Sequence, residues 1–274
     1  MKFDIELVGK IGSMALINKD YRDLNYNVIA RLSRELAPGM AWVTSGAVEI
    51  GRLDYVRRND EELDGTPENN KTDYAAQGQS ILMQTYRQYI DSRYSVRQIL
   101  VEHQHFNDAE KSRHLRDAIL RCPGQKAIPI INYNDTVNSE ENRKMEFAAL
   151  KREREDVHEC VDNDETAAQV AFLVKSKRLL ILTSVDGIYT DVRDPKTLVK
   201  EISGKNAHEL LENISRCQEF CSGSSREGAG GARAKLEYIK APASNGTEII
   251  IANSAYPMKD VLNGTAPRTR IAVR

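Results

Sequence analysis

A lysine near the end of a short apolar run, followed at once by small residues, is a pattern that can hold an anion. Val8-Gly9-Lys10-Ile11-Gly12-Ser13 has this pattern. At the carboxyl end of a parallel strand such a turn lets backbone N–H groups approach a negative group while the ammonium neutralises it. A plain surface lysine at a strand end would leave the same trace. Val43-Thr44-Ser45-Gly46-Ala47 ends a second run and opens a helix. Its N–H groups and the Ser45 hydroxyl can receive a carboxylate or phosphate, and Ser45 can equally be a helix N-cap. Pro129-Ile130-Ile131 runs into Asn132-Tyr133-Asn134-Asp135-Thr136, and Asp162-Asn163-Asp164 stands before an expected helix over 165–174. Such polar clusters form turns and caps, and beside two glycine-serine turns they can also form a site. Leu182-Thr183-Ser184-Val185-Asp186-Gly187-Ile188-Tyr189 leaves an apolar strand for a turn, where Asp186-Gly187 alone would suit a hairpin. Glu227-Gly228-Ala229-Gly230-Gly231-Ala232-Arg233-Ala234-Lys235 is a glycine-rich loop entering a helix. Lysine on the first turns opposes the helix dipole unless an anion compensates it.

Other chemistries lose support on the same residues. No G-x-S-x-G elbow and no GxxxxGK[ST] string occurs, against a serine hydrolase and a P-loop NTPase. Cys122, Cys160, Cys217 and Cys221 form no CxxC pair and have no histidine at zinc-finger spacing, so they read as ordinary thiols.

The elements that must carry these strings alternate between short β-branched runs and longer segments of helical period, which predicts an α/β fold with a largely parallel sheet. Strands are expected over 3–11, 40–44, 96–101, 127–131, 179–182 and 248–252, the last two apolar enough to be covered on both faces. Helices are expected over 26–36, ended by Pro38-Gly39, and over 73–93. The polar stretch 57–72 predicts a surface loop. Residues 139–159 hold five basic and seven acidic side chains, a balance that suits a solvated loop or exposed helix better than a nucleic-acid arm.

The whole chain sets the bounds. Its 274 residues, 41% hydrophobic and 29% charged, can bury a real core. With 39 Lys+Arg against 40 Asp+Glu the net charge is -1, so no overall field draws it to nucleic acid or an anionic membrane, and an anionic ligand needs a local site. Two acids near the N-terminus and the lack of an 18-residue apolar window argue against a signal peptide or membrane span and make the cytoplasm the expected location.

Taken in order, the six strings resemble the amino acid kinase family over about residues 2–264. The resemblance implies a three-layer αβα sandwich in a single domain over 1–274, with an amino-acid-substrate lobe near 1–165 and a nucleotide lobe near 166–274. The serine-glycine-alanine turn, the Asn-x-Asn-Asp string and the Asp-Asn-Asp triplet are similar to the glutamate 5-kinase branch. Relatives acting on acetylglutamate or nucleoside monophosphates usually carry a glycine triplet at that turn. The implied reaction moves the γ-phosphoryl group of ATP, with Mg2+, to the side-chain carboxylate of L-glutamate, the first step of proline biosynthesis. By matching position, Lys10, Asp164 and Lys235 are the implied catalytic residues, Asp164 standing between the lysines, and Ser45, Gly46, Ala47, Asp135 and Asn163 contact glutamate. Lys10, Gly12, Ser13, Thr183, Ser184, Asp186, Tyr189, Ala229, Gly230, Gly231 and Lys235 face the nucleotide, and no residue is assigned to the metal. The physics agrees, because an ionised carboxylate needs no base to attack a triphosphate but does need its repulsion offset by cations. Proline as a feedback inhibitor and homo-oligomeric assembly are further implications.

The chain departs from the family pattern where Ser184 replaces an aspartate, Ala229 a threonine and Gly9 an apolar strand residue. The segment 139–159 is also longer than the family connection, 105–121 aligns poorly, and no stretch corresponds to the RNA-modification-type module that follows the kinase domain in many bacterial members. The alternatives are a same-fold kinase for another carboxylate, carbamate or phosphonate, and a nucleotide-binding regulatory subunit without catalysis.

Overall fold

The computed structural model describes residues 2–137, 140–153, 157–160, 162–191, 193–221 and 231–274. Strand β1 (Ile5–Ile11) passes through helix α1 (Ser13–Leu16) to a ribbon of β2 (Ile17–Asn18) and β3 (Asp23–Leu24). Helix α2 (Tyr26–Glu35) starts where the Asn25 side chain accepts the Val28 N–H, and Gly39 at φ +97° turns the chain into β4 (Met40–Val43). Then come α3 (Ala47–Asn59), α4 (Pro67–Tyr89) and β5 (Ser95–Val101). Helices α5 (Gln104–Asn107) and α6 (Ala109–Arg121) lead to β6 (Ala127–Tyr133). Helix α7 (Glu140–Glu153) lies within the charged segment, and α8 (Asn163–Leu173) precedes β7 (Ser176–Thr183). A ribbon of β8 (Ile188–Tyr189) and β9 (Leu198–Val199) comes before β10 (Glu201–Gly204) and α9 (Ala207–Phe220). Helices α10 (Gly231–Tyr238) and α11 (Lys240–Ser244), strand β11 (Glu248–Asn253), α12 (Met258–Asn263) and β12 (Arg268–Val273) complete the described chain.

The stretch 57–72 is shorter as a loop than its composition suggests. Asp60, at φ +58°, ends α3, and the Thr66 hydroxyl accepts the Asn69 N–H at 3.2 Å with Pro67 in the first turn of α4. Only 60–66 separates the helices. The composition reported exposure, and a helix can be as polar as a loop on its outer face. Helix α4 accordingly begins earlier than the expected Asp73 and ends at Tyr89.

Eight strands form one sheet in the order β10-β12-β11-β7-β1-β4-β6-β5, parallel throughout except for the β11–β12 pair. After β1 the chain builds one half of the sheet through β4, β5 and β6, then crosses back to lay β7 on the other side of β1. In parallel sheets such a reversal opens a crevice at the carboxyl ends of the neighbouring strands. Lys10 and Thr183 lie at those ends.

Alternate side chains of the central strands feed two cores. Leu179, Ile181, Ile249 and Ile251 pack with α6, α8, α9 and α10, whereas Leu180, Leu182, Ile250 and Ala252 pack with α2, α3, α4 and α12. This is the expected three-layer αβα sandwich, with the two predicted apolar strands β7 and β11 central.

Gly9 has a packing cause. It pairs in register with Trp42, and a Cβ at Gly9 would lie 2.1 Å from the Trp42 ring. The ring occupies the space that an apolar residue at position 9 would fill, and its Nε1–H donates to the Tyr86 Oη at 3.1 Å.

Candidate active site

The crevice at the reversal is a cavity of about 690 Å3. Lys10, Gly12, Ser13, Ser45, Gly46 and Ala47 line it from the ends of β1 and β4, and Asp135, Asn163, Asp164, Thr183, Ser184 and Lys235 come from later in the chain. Twelve sequence-predicted residues are thus brought together. Asp186, Tyr189 and Gly231 are not among the lining residues, and Ala229 and Gly230 lie outside the described residues. Asp186 accepts from the Asn253 side chain at 3.1 Å and from the Tyr189 hydroxyl at 3.5 Å, so these two close the turn after β7 instead of facing the cavity.

Three charges meet at its centre. The Lys10 Nζ lies 2.6 Å from Asp164 Oδ1 and the Lys235 Nζ 2.7 Å from Asp164 Oδ2. The side chains of Lys10 and Asp164 are only 9% and 7% exposed, so water screens this pair little. Burial by itself would raise the Asp164 carboxyl, but the two ammonium groups outweigh it and hold it down at about 2. The group stays an anion at neutral pH, and the cluster as a whole carries one net positive charge. Lys235 is the fifth residue of the eight-residue α10 and lies in its last turn, where a cation suits the helix dipole, so the conflict expected from a place on the first turns does not arise, and Asp164 pairs with it as a partner across the site.

Local sequence explains how Asp164 is held. Asp162 is the N-cap of α8, its Oδ1 accepting the N–H groups of Asp164 and Glu165 at 2.6 and 3.1 Å. Burial and the neighbouring Asp164 charge raise the Asp162 pKa. The helix therefore begins two residues before the expected Glu165, with Asp164 in its first turn. Next to it, the Asn163 amide donates to Asn132 Oδ1 at 3.1 Å, and the Asn132 amide donates to Gln79 of α4 at 2.8 Å.

The Ser45-Gly46-Ala47 turn is not closed by a serine cap. Gly46 is the N-cap of α3, at φ +98° with no side-chain hydrogen bond, a conformation glycine adopts without strain. Behind it, α3 and α4 touch backbone to backbone. A Cβ at Gly78 would lie 1.8 Å from the Ala47 carbonyl oxygen, and one at Gly51 1.8 Å from that of Tyr74. The crossing ties the start of α3 to α4, which supplies Gln79 and Lys71 to the site.

Five charged or polar residues of the lining had no assigned role in the sequence reading, namely Lys19, Glu49, Lys71, Asn132 and Asp162. Asn132 and Asp162 stood inside quoted strings, and their signals were a polar residue at the end of an apolar strand and an N-cap position. Lys19 and Lys71 gave no local signal, and Lys71 fell in the stretch read as loop. In the structure it is 2.9 Å from Asp135.

A largely parallel sheet with two lysines on one buried carboxylate at its strand ends presents cations rather than a base to whatever anion enters the cavity, an arrangement suited to screening phosphate charge. Residues 7–253 match the amino acid kinase family, and the chain belongs to that family. It is 31% identical over 260 residues to a glutamate 5-kinase of Cupriavidus pinatubonensis, an alignment covering 90% of this chain and 62% of that protein. It is 28% identical over 276 residues to a glutamate 5-kinase of Clostridium perfringens, covering 96% and 94%. The chain thus spans under two thirds of the Cupriavidus protein and nearly all of the Clostridium one. Among solved structures, carbamate kinase from Giardia lamblia bound to AMP-PNP superposes with a TM-score of 0.61 at 14% identity, covering 98% of each chain. UMP kinase from Ureaplasma parvum does so with 0.55 at 14% identity, covering 99% and 100%. At that identity the likeness speaks to the fold, which is the one expected. Among the described residues no helix is long and apolar enough to cross a membrane.

Proposed function

We propose that the chain phosphorylates the side-chain carboxylate of L-glutamate at the expense of ATP, giving glutamyl 5-phosphate and ADP. The observation that carries this reading is the pair of lysines on Asp164 at the base of one cavity. The relatives named above support glutamate as acceptor. A glutamate side chain has a reference pKa near 4.3, so it is ionised at neutral pH and can attack without a base. What it needs is relief from repulsion by the triphosphate.

Lys10 and Lys235 supply that relief, each presenting an ammonium to the oxygens on which negative charge gathers during transfer. Asp164 orients both. With its carboxyl held at about 2 it is too weak a base to remove a proton near neutrality. ATP provides the transferred phosphoryl group, and Mg2+ would enter on its phosphates, the usual way this ion is held in kinase sites. Donor chemistry fits that arrangement, since Lys10 and Lys235 suit the phosphate oxygens that would carry the ion. Ser45, Gly46, Ala47, Asn163 and Asp135 are assigned to the acceptor. Gly12, Ser13, Thr183 and Ser184 are assigned to the nucleotide. In the same reading 1–165 and 166–274 are the acceptor and nucleotide lobes of one domain.

Hydroxylamine trapping tests the reading, because an acyl phosphate reacts with it to give a hydroxamate. With ATP and Mg2+, hydroxamate from glutamate and not from acetylglutamate or aspartate is the expected result. Product from a different acid alone would move the activity to that acceptor, and nucleotide binding without product from any acid would mean a regulatory subunit.

A further inference from the structure

Four carboxylates line the cavity, and three are committed. Asp164 holds Lys10 and Lys235, Asp162 accepts two backbone N–H groups, and Glu49 is paired with Arg52 at 2.9 Å. The fourth, Asp135, is met by Lys71 at 2.9 Å, with the two side chains 22% and 54% exposed. A pair this wet is weak and can trade partners at small cost, unlike the buried cluster around Asp164.

The elements behind this pair are firmly set. Asp135 follows the end of β6, and Lys71 stands on α4, which is locked to α3 at Gly51 and Gly78. Helix α3 begins at Ala47, so Lys71 is held in register with the Ser45-Gly46-Ala47 turn. An α-amino acid carries an ammonium and a carboxylate on one carbon, one charge for each member of the pair.

We propose that Lys71 and Asp135 together read the α-amino-acid end of the acceptor. Without acceptor, the Lys71 ammonium stands on Asp135 in place of the substrate's own. An arriving amino acid puts its α-ammonium on Asp135 and receives the released Lys71 on its α-carboxylate, so one ion pair becomes two. A ligand lacking the α-carboxylate must displace Lys71 and gains nothing from it afterwards. Lys71 is in this sense a specificity residue, remote from the transferred phosphoryl group. The assignment rests on the acceptor reading of the previous section.

Lys71→Met in the full chain tests it. The readouts are kcat and KM for glutamate by hydroxamate formation, and inhibition of that reaction by γ-aminobutyrate, which lacks the α-carboxylate, and by glutarate, which lacks the α-ammonium. The expected result is a glutamate KM raised roughly tenfold or more with kcat nearly unchanged, the scale of one lost charge-assisted hydrogen bond. Inhibition by γ-aminobutyrate should hold or strengthen, because Asp135 is no longer occupied, while glutarate weakens. Parallel loss for glutamate and γ-aminobutyrate, an unchanged glutamate KM, or no inhibition of either form by γ-aminobutyrate overturns the proposal. A wild-type protein that makes no hydroxamate from glutamate sinks the acceptor reading itself, a failure visible before any variant is made.

Discussion

Asp164→Asn is the sharpest perturbation of this site because it changes charge and almost nothing in shape. The carboxylate sits 2.6 and 2.7 Å from two ammonium groups, and the amide would leave two cations facing each other with no counter-ion. Removing one partner of a buried charged pair costs about 3–5 kcal/mol, shared between the fold and the geometry of the groups left behind. If Asp164 acts by orienting Lys10 and Lys235, losing that preorganisation should lower kcat about 10²–10³-fold, the scale seen when a fixed electrostatic contact is deleted from a transition state. The pH dependence of stability gives a second readout. The Asp164 carboxyl is held at about 2 in the fold, below the near-4 value of an unfolded chain. A depressed carboxyl stabilises the fold above the unfolded pKa, and the contribution fades as pH falls from about 4 toward 2. By linkage it amounts to on the order of 2 kcal/mol, and the amide variant should lack that part of the acid limb. Turnover is measured by hydroxamate formation and stability by urea denaturation across the acid range. In a double-mutant cycle with Lys10→Met, the second change should add little. Turnover in Asp164→Asn within about threefold of wild type, or effects of the two changes that simply multiply, would refute the orienting role.

Two further predictions concern how the site is supported. Gly9→Val should lower stability by about 1–3 kcal/mol or more, since its Cβ would lie 2.1 Å from the Trp42 ring. Thermal denaturation of Gly9→Val paired with Trp42→Phe should recover part of the loss. At the α8 N-terminus, Asp162→Ala should cost about 1 kcal/mol for the lost cap. Asp162→Asn should cost less or nothing, because it keeps an acceptor and removes a buried charge whose pKa is already raised by burial and by Asp164. Urea midpoints of the two variants, compared at neutral pH, decide it.

Much of the fold could be read locally. The alternation of apolar runs with helical periods predicted an α/β class with a largely parallel sheet, the αβα layering was implied by the family resemblance, and the fully apolar runs in β7 and β11 are central strands. Element ends were less legible. Thr66-Pro67 opens α4 inside a polar stretch, and Asn132-Tyr133 extends β6 beyond the expected Ile131, because polar residues close a strand or begin a helix without changing their composition. Ser45 could not be told from an N-cap by its neighbours, and only the backbone at Gly46 decides the matter.

The amino-acid sequence by itself determined which turns could approach an anion, through glycines and small residues next to strand ends, and the order in which they occur. It also determined the caps, since Asp162 and Asn25 reach N–H groups only a few residues away. Tertiary structure alone decided that Lys71 comes to Asp135 and that Trp42 takes the space left by Gly9, and it brings Lys10 and Lys235 onto Asp164, which the family resemblance had implied but no local pattern could show. The reason is one of range. A cap or a turn depends on dihedral angles within one stretch of chain, whereas a meeting of distant charges depends on the crossover that lays β7 beside β1 and on the packing of α3 against α4.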